Sequence, residues 1–264
     1  MLMLKRALGA LGVFLVFLSL WWATPNLFGV PKFILPPPQD VVKEFINIAS
    51  SGELIRHTWI TFIEVILGFI LGSILGIGFG YTLSMSRTLE MLISPYVLAL
   101  QISPKIAFAP LFILWFGFGM FPKILTAILV VFFPILINVL VSVRFMDQDL
   151  IQLLRSLNAT RWQIFWTVEF PSSLPSLFSG LRIGATLAVI GVVVGELVGA
   201  NIGLGYLLQV GEGQALTSLV LVTIIMLTIL GILFYFAVVA VERFVLRWHP
   251  ATQAEGIGVP VGTA

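Results

Sequence analysis

The sequence predicts an all-α membrane protein, a bundle of about six transmembrane helices, on three observations. Of 264 residues, 59% are hydrophobic and only 10% are charged, where a soluble globular domain runs near 45–50% and 25%. The mean hydropathy is +1.10. Six stretches also approach the ~20 apolar residues that a helix needs to cross a hydrocarbon core ~30 Å thick. In that medium a helix is favoured because it satisfies its own backbone hydrogen bonds where water cannot.

The six stretches cover residues 8–22, 60–85, 95–120, 124–143, 177–199 and 216–241. The first follows Lys5 and Arg6, as a secretory signal would. It lacks a small-x-small cleavage site and ends in Trp21-Trp22, a fitting interfacial anchor, so it is read as a retained span. Gly68, Gly72, Gly76, Gly78 and Gly80 give the second stretch small-residue faces for helix packing in lipid. The third contains Lys105 and is interrupted by Pro104 and Pro110. Between the first two, the run after Leu35-Pro-Pro-Pro predicts a short amphipathic helix along the membrane surface, with Asp40 as its cap.

Basic residues near spans favour the cytoplasmic side. A cytoplasmic N-terminus puts Lys5, Arg6, Arg87, Arg144, Arg155, Arg161, Arg182, Arg243 and Arg247 inside, and only Lys32, Lys43, Arg56 and Lys123 outside. Both termini are therefore expected to be cytoplasmic. Residues 1–249 form one transmembrane domain, and the Gly-, Ala- and Thr-rich tail 250–264 is expected to be mobile.

Composition narrows the chemistry. A net charge of +2 gives no reason to expect a nucleic-acid partner, and membrane lipid is the expected surroundings. Without cysteine there is no disulfide frame or thiolate nucleophile. His57 and His249 have no partners at ligand spacing, so no metal site is expected. A membrane enzyme would need a convergent set of polar groups, and an ion-coupled carrier would show a repeat and more intramembrane ionisable residues.

The polar stretch 144–176 is the informative one. Asp147 to Asn158 predicts a helix with an acidic start, stopped where asparagine accepts left-handed geometry. A second short helix runs from Thr160, with a hydroxyl at its cap, to Val168, and is expected to end at Phe170-Pro171. Two short helices with exposed aromatic and cationic side chains at a membrane face make a docking knob for a soluble partner.

Gln152-Leu-Leu-Arg-Ser-Leu-Asn-Ala-Thr-Arg-Trp162, then Phe170-Pro171, Leu174-Pro175 and Gly180-Leu-Arg182, resembles the cytoplasmic E-A-A loop of ATP-binding-cassette (ABC) importer permeases. The family pattern would place Glu-Ala-Ala at 152–154 and glycine at 158; Gln152, Leu153, Leu154 and Asn158 depart from it. Leu35-Pro-Pro-Pro, Pro104 to Gly117, Phe133-Pro-Ile and Gly191 to Tyr206 extend the resemblance, in order, to the nitrate, sulfonate and taurine branch.

The resemblance implies a bacterial inner-membrane permease subunit of the type I importer fold that imports a small organic nutrient by alternating access. Separate ATPase subunits would carry ATP and Mg²⁺, since the chain has no Gly-x4-Gly-Lys-Ser/Thr of its own. An external binding protein and a second permease copy complete the assembly. Gln152, Leu153, Leu154, Asn158, Ala159, Thr160, Arg161, Trp162, Phe170 and Pro171 would form the ATPase-coupling loop. Pro104-Lys105 resembles the members that handle riboflavin or thiamine pyrimidine precursors, with taurine, aliphatic sulfonates or nitrate the alternative.

Lys105, Glu64 and Glu196 are the candidate pathway residues. Lys105 fits a gate residue or a lysine snorkelling from a helix break. Glu64 suits an ion pair or hydrogen bond inside the bundle. Glu196, between Gly195 and Gly199, stands where helices can approach closely.

Overall fold

The computed structural model describes residues 2–248. The expected mobile tail 250–264 and His249 lie outside the described residues. Among the described residues all regular elements are helical. In chain order they are α1 (Leu2–Leu27), α2 (Pro38–Ser50), α3 (Glu53–Ser84), α4 (Arg87–Ile102), a 3₁₀ turn (Lys105–Phe108), α5 (Ala109–Phe116), α6 (Met120–Arg144), α7 (Gln148–Ser156), α8 (Arg161–Ile164), a π-helical turn (Phe165–Glu169), α9 (Phe170–Gly199), α10 (Leu204–Gly213) and α11 (Thr217–Val245).

Four helical stretches are long and apolar enough to cross a membrane: Glu53–Ser84, Met120–Arg144, Arg161–Gly199 and Thr217–Val245. The pair Arg87–Ile102 and Lys105–Phe116 is apolar enough to cross only when its two helices, bent by 84°, are taken together, and Leu11–Leu27 is a shorter apolar helix, so four or five stretches stand where six were expected. At 1.5 Å per residue, the 32 residues of α3 extend about 48 Å, so the helix projects well past the hydrocarbon core.

The core forms around α6, which lies between α3 and α9. With lipid as solvent, helices have little hydrophobic reason to associate, and small residues that admit close backbone contact decide the pairing. Every fourth residue of α3, Gly68, Gly72, Gly76 and Gly80, faces Ala127, Val131, Ile135 and Val139 of α6. Gly184, Gly191 and Gly195 of α9 press on the same helix, at Ile135 and Val131, Ala127 and Lys123 in turn. A methyl group at Gly191 would sit 2.7 Å from Ala127 Cα, and one at Gly76 2.8 Å from the carbonyl oxygen of Phe132. Gly78 faces open space and takes no part in the stripe. α11 flanks α9 and α10, and α2 packs across α3 and α11. Trp21 of α1, expected as an interfacial anchor, donates to the Pro36 carbonyl at 3.0 Å.

Four expectations are corrected. Residues 95–120 do not form one helix. Ser103 is extended before Pro104 (φ −59°, ψ 145°), as the proline ring requires of the residue before it. Gly117 and Gly119, at φ 77° and 148°, then turn the chain from α5 into α6. Asp40 is not the cap of α2: the helix starts at Pro38, whose fixed φ and absent N–H suit a first position, and Asp40 sits in the first turn, paired with Lys32 at 2.7 Å. The helix from Thr160 does not end at Phe170-Pro171. A π-turn widens the ladder there, so Phe170 N–H reaches Phe165 O and the chain enters α9 unbroken. Lys123, counted among the loop cations, is 3% exposed inside the bundle.

Candidate functional site

Polar groups collect at the two ends of the three-helix core. At the α6-to-α9 end, residues 145–169 build a knob of two short helices, the second of which runs on into α9. Asp147 Oδ1 caps α7 by accepting from Asp149 N at 2.9 Å. Asn158 ends it in the left-handed region at φ 57°. Thr160 opens α8 through a capping box. Its hydroxyl accepts from Gln163 N at 3.3 Å, and Gln163 Oε1 accepts from Thr160 N at 2.8 Å.

A small core of Met146, Ile151 and Ile164, with Leu154, Ala159 and Val168 against it, holds the two helices together. The expected coupling residues therefore divide. Leu154, Ala159, Phe170 and Pro171 turn inward, whereas Gln152, Leu153, Asn158, Thr160, Arg161 and Trp162 are exposed. Leu157 is 69% and Trp162 64% exposed, so the knob presents apolar and aromatic surface beside Arg155 and Arg161. Such a surface lacks a partner within the monomer. Arg144–Glu90 at 3.4 Å ties the end of α6 to the start of α4, and Arg182–Glu242 at 3.3 Å ties α9 to the end of α11.

At the opposite end a polar knot sits in the apolar bundle. Glu64 on α3 and Glu196 on α9 are both 0% exposed, and Lys123 on α6 forms an ion pair with Glu64. The two carboxylates lie within electrostatic reach of each other and of Lys123. Thr61 Oγ1 donates to Glu196 Oε1 at 2.7 Å and accepts from Leu204 N at 2.8 Å. Glu196 Oε2 accepts from Gly205 N at 2.6 Å. Glu196 thus places a carboxylate on the Gly205 N–H in the first turn of α10, where the helix dipole favours an anion. His57 Nδ1 accepts from Gly203 N at 2.9 Å, and its ring stacks on Tyr206 with centroids 5.8 Å apart.

Gly203 and Gly205 make this possible, because a methyl at Gly205 would lie 2.7 Å from Glu196 Cβ. The knot joins α3, α6 and α9 through their side chains and the start of α10 through its backbone N–H groups. Of the candidate pathway residues, Glu64 and Glu196 are brought together. Lys105 stands apart at the 3₁₀ turn, donating to the Gln101 carbonyl at 2.5 Å with its ammonium 4.9 Å from the Phe133 ring centre.

Three participants escaped the sequence reading. Thr61 and His57 share the Glu64 face of α3 at helical spacing, which could have flagged them. Lys123 stands three residues past the start of α6, and its burial depends on contact with another helix. Among the described residues no group of three His, Asp or Glu side chains has the arrangement of a metal site.

Comparisons with known proteins agree with this geometry. The chain is 40% identical over 243 residues to the riboflavin transport system permease protein RibX of Chloroflexus aurantiacus, covering 92% of this chain and 91% of that protein. It is 35% identical over 249 residues to the formylaminopyrimidine transport permease protein ThiX of Halalkalibacterium halodurans, covering 93% and 99%. In fold it is similar to a chain of the inward-facing MetNI methionine ABC transporter, with a TM-score of 0.63, 24% identity, and coverage of 75% of this chain and 98% of that one. Residues 68–247 match the family described as binding-protein-dependent transport system inner membrane component. By that match and by its relatives, the chain belongs to this family, as a permease subunit of an ABC importer.

Proposed function

We propose that this permease imports riboflavin or a thiamine pyrimidine precursor by alternating access, as a homodimer driven through the knob 145–169 by separate ATPase subunits that hold ATP and Mg²⁺. An extracytoplasmic binding protein delivers the cargo, and both termini and the knob face the cytoplasm of the bacterial cell.

The observation that carries this reading is the continuity of the knob with a span. Residues 161–199 form one helical rod, with the exposed Trp162 at one end and Glu196 at the other. A partner that shifts the knob therefore moves α9, and α9 moves α6 and α3 through their glycine contacts. Packed helices rearrange as bodies, which is what alternating access needs. The bent α4–α5 pair leaves Tyr96, Leu114 and Trp115 exposed, a face suited to the second copy.

The substrate rests on the RibX and ThiX relatives and on Pro104-Lys105. Taurine, an aliphatic sulfonate or nitrate is the alternative within the class, and an ion-coupled carrier without an ATPase is the reading from a different class.

Deleting Ala159 to Trp162 tests the mechanism. The deleted protein should reach the membrane but fail to retain its ATPase in pull-downs, and ATP-dependent uptake should vanish. Full uptake without the ATPase would refute it. Uptake of labelled riboflavin, formylaminopyrimidine, taurine and nitrate by the reconstituted system then sorts the cargo.

A further inference from the structure

The joint between knob and span is soft by construction. In the π-turn Phe165–Glu169 the ladder is wider than in an α-helix, and Pro171 just beyond it has no N–H to contribute. Left alone, such a joint would bend when the knob is pushed, and the displacement would be lost.

A side chain from another span is set against it. Tyr81, near the end of α3, is buried with its ring edge-on to Phe165 at 5.3 Å and 6.1 Å from Phe170. Phe165 in turn stacks on Trp162, centroids 5.7 Å apart and nearly parallel. The Tyr81 hydroxyl is hydrogen-bonded to Ser173 Oγ in the first turn of α9, and Ser173 is fully buried. Ser173 O–H donates to the Phe170 carbonyl at 2.8 Å, so the bond runs from the Tyr81 O–H to the serine oxygen. One tyrosine thus touches the turn by its ring and the helix beyond it by its hydroxyl.

We infer that the Tyr81–Ser173 hydrogen bond clamps the π-turn, making Tyr81 the positioning residue that carries knob displacement into α3 as well as α9. This rests on the reading that ATPase subunits act through the knob. With the clamp closed, turn and helix move against α3 together; with it open, the turn absorbs the motion.

Because the chain has no cysteine, single reporters can be placed cleanly. One sits at Gln148→Cys on the knob and one at Ile55→Cys at the far end of α3, both at exposed positions. Each is measured in the assembled permease–ATPase complex in lipid, as the maleimide labelling rate with and without ATP and Mg²⁺. In the parent both rates should respond to nucleotide.

Tyr81→Phe keeps the ring and removes the hydroxyl. It should leave the response at position 148 intact and reduce that at 55 on the order of fivefold, the scale of one neutral hydrogen bond. Ser173→Ala reads the same bond from the other side should Tyr81→Phe fail to assemble. The double variant should be no worse than either single one, since the two hydroxyls act through each other. An unchanged response at 55 in Tyr81→Phe, an equal loss at both positions, or additive losses would overturn the clamp. Silence at 148 in the parent would instead bring down the knob reading and the clamp with it.

Discussion

Replacing Lys123 with methionine removes the cation that Glu64 and Glu196 both face. Methionine matches the lysine stem in length, so the apolar contacts of the position survive and the charge is what changes. Glu64 is 0% exposed, and beyond the ion pair neither of its oxygens has a hydrogen-bond partner among the described residues. Stripping one partner from a buried pair costs about 3–5 kcal/mol, because the remaining charge has neither water nor counter-ion. At roughly 2–4 °C per kcal/mol for a chain of this size, the midpoint of heat-induced loss from detergent solution should fall by about 10 °C. The double variant Lys123→Met/Glu64→Gln should recover most of that, since position 64 then carries no charge and Glu196 keeps the Thr61 hydroxyl and the Gly205 N–H as donors. Size-exclusion recovery after graded heating measures both. If Lys123→Met lost nothing, or if adding Glu64→Gln deepened the loss, the knot would not be held by charge neutralisation and this account of it would fail.

Other outcomes follow from the same geometry. Gly191→Ala, whose methyl would meet the α6 backbone, should lower stability by about 1–3 kcal/mol, whereas Gly78→Ala, facing open space, should be neutral or mildly stabilising; the same heating assay separates them. Thr160→Ala breaks the capping box and should cost about 1 kcal/mol, seen as faster amide exchange at Gln163 and weaker ATPase retention without loss of the spans. Thr61→Val keeps the shape but withdraws the hydroxyl between Glu196 and Leu204, so exchange at the first amides of α10 should rise about tenfold while that of α7 stays as it was.

Much of the architecture was legible because lipid imposes simple rules. A span must be long, apolar and helical, and a charge-poor sequence displays its spans openly. The knob was legible for a different reason: Asp147, Asn158 and Thr160 act on backbone groups a few residues away, so their roles follow from spacing alone. The glycine stripe was half legible. Its period was visible, yet nothing in the sequence shows that Gly78 stands off it or that Ala127, Val131, Ile135 and Val139 are its partners.

Contacts between distant residues needed the folded chain. Lys123 reads as a loop cation because it begins a span, and it becomes a buried counter-ion because α3 brings Glu64 to the same depth. Pro171 reads as a helix stop, yet the ladder is widened there and Tyr81 arrives from α3 to brace it. The reason is common to both. Local hydrogen bonding and solvent preference are properties of a short stretch of residues, whereas a counter-ion or a brace exists only when helix packing brings together side chains many residues apart.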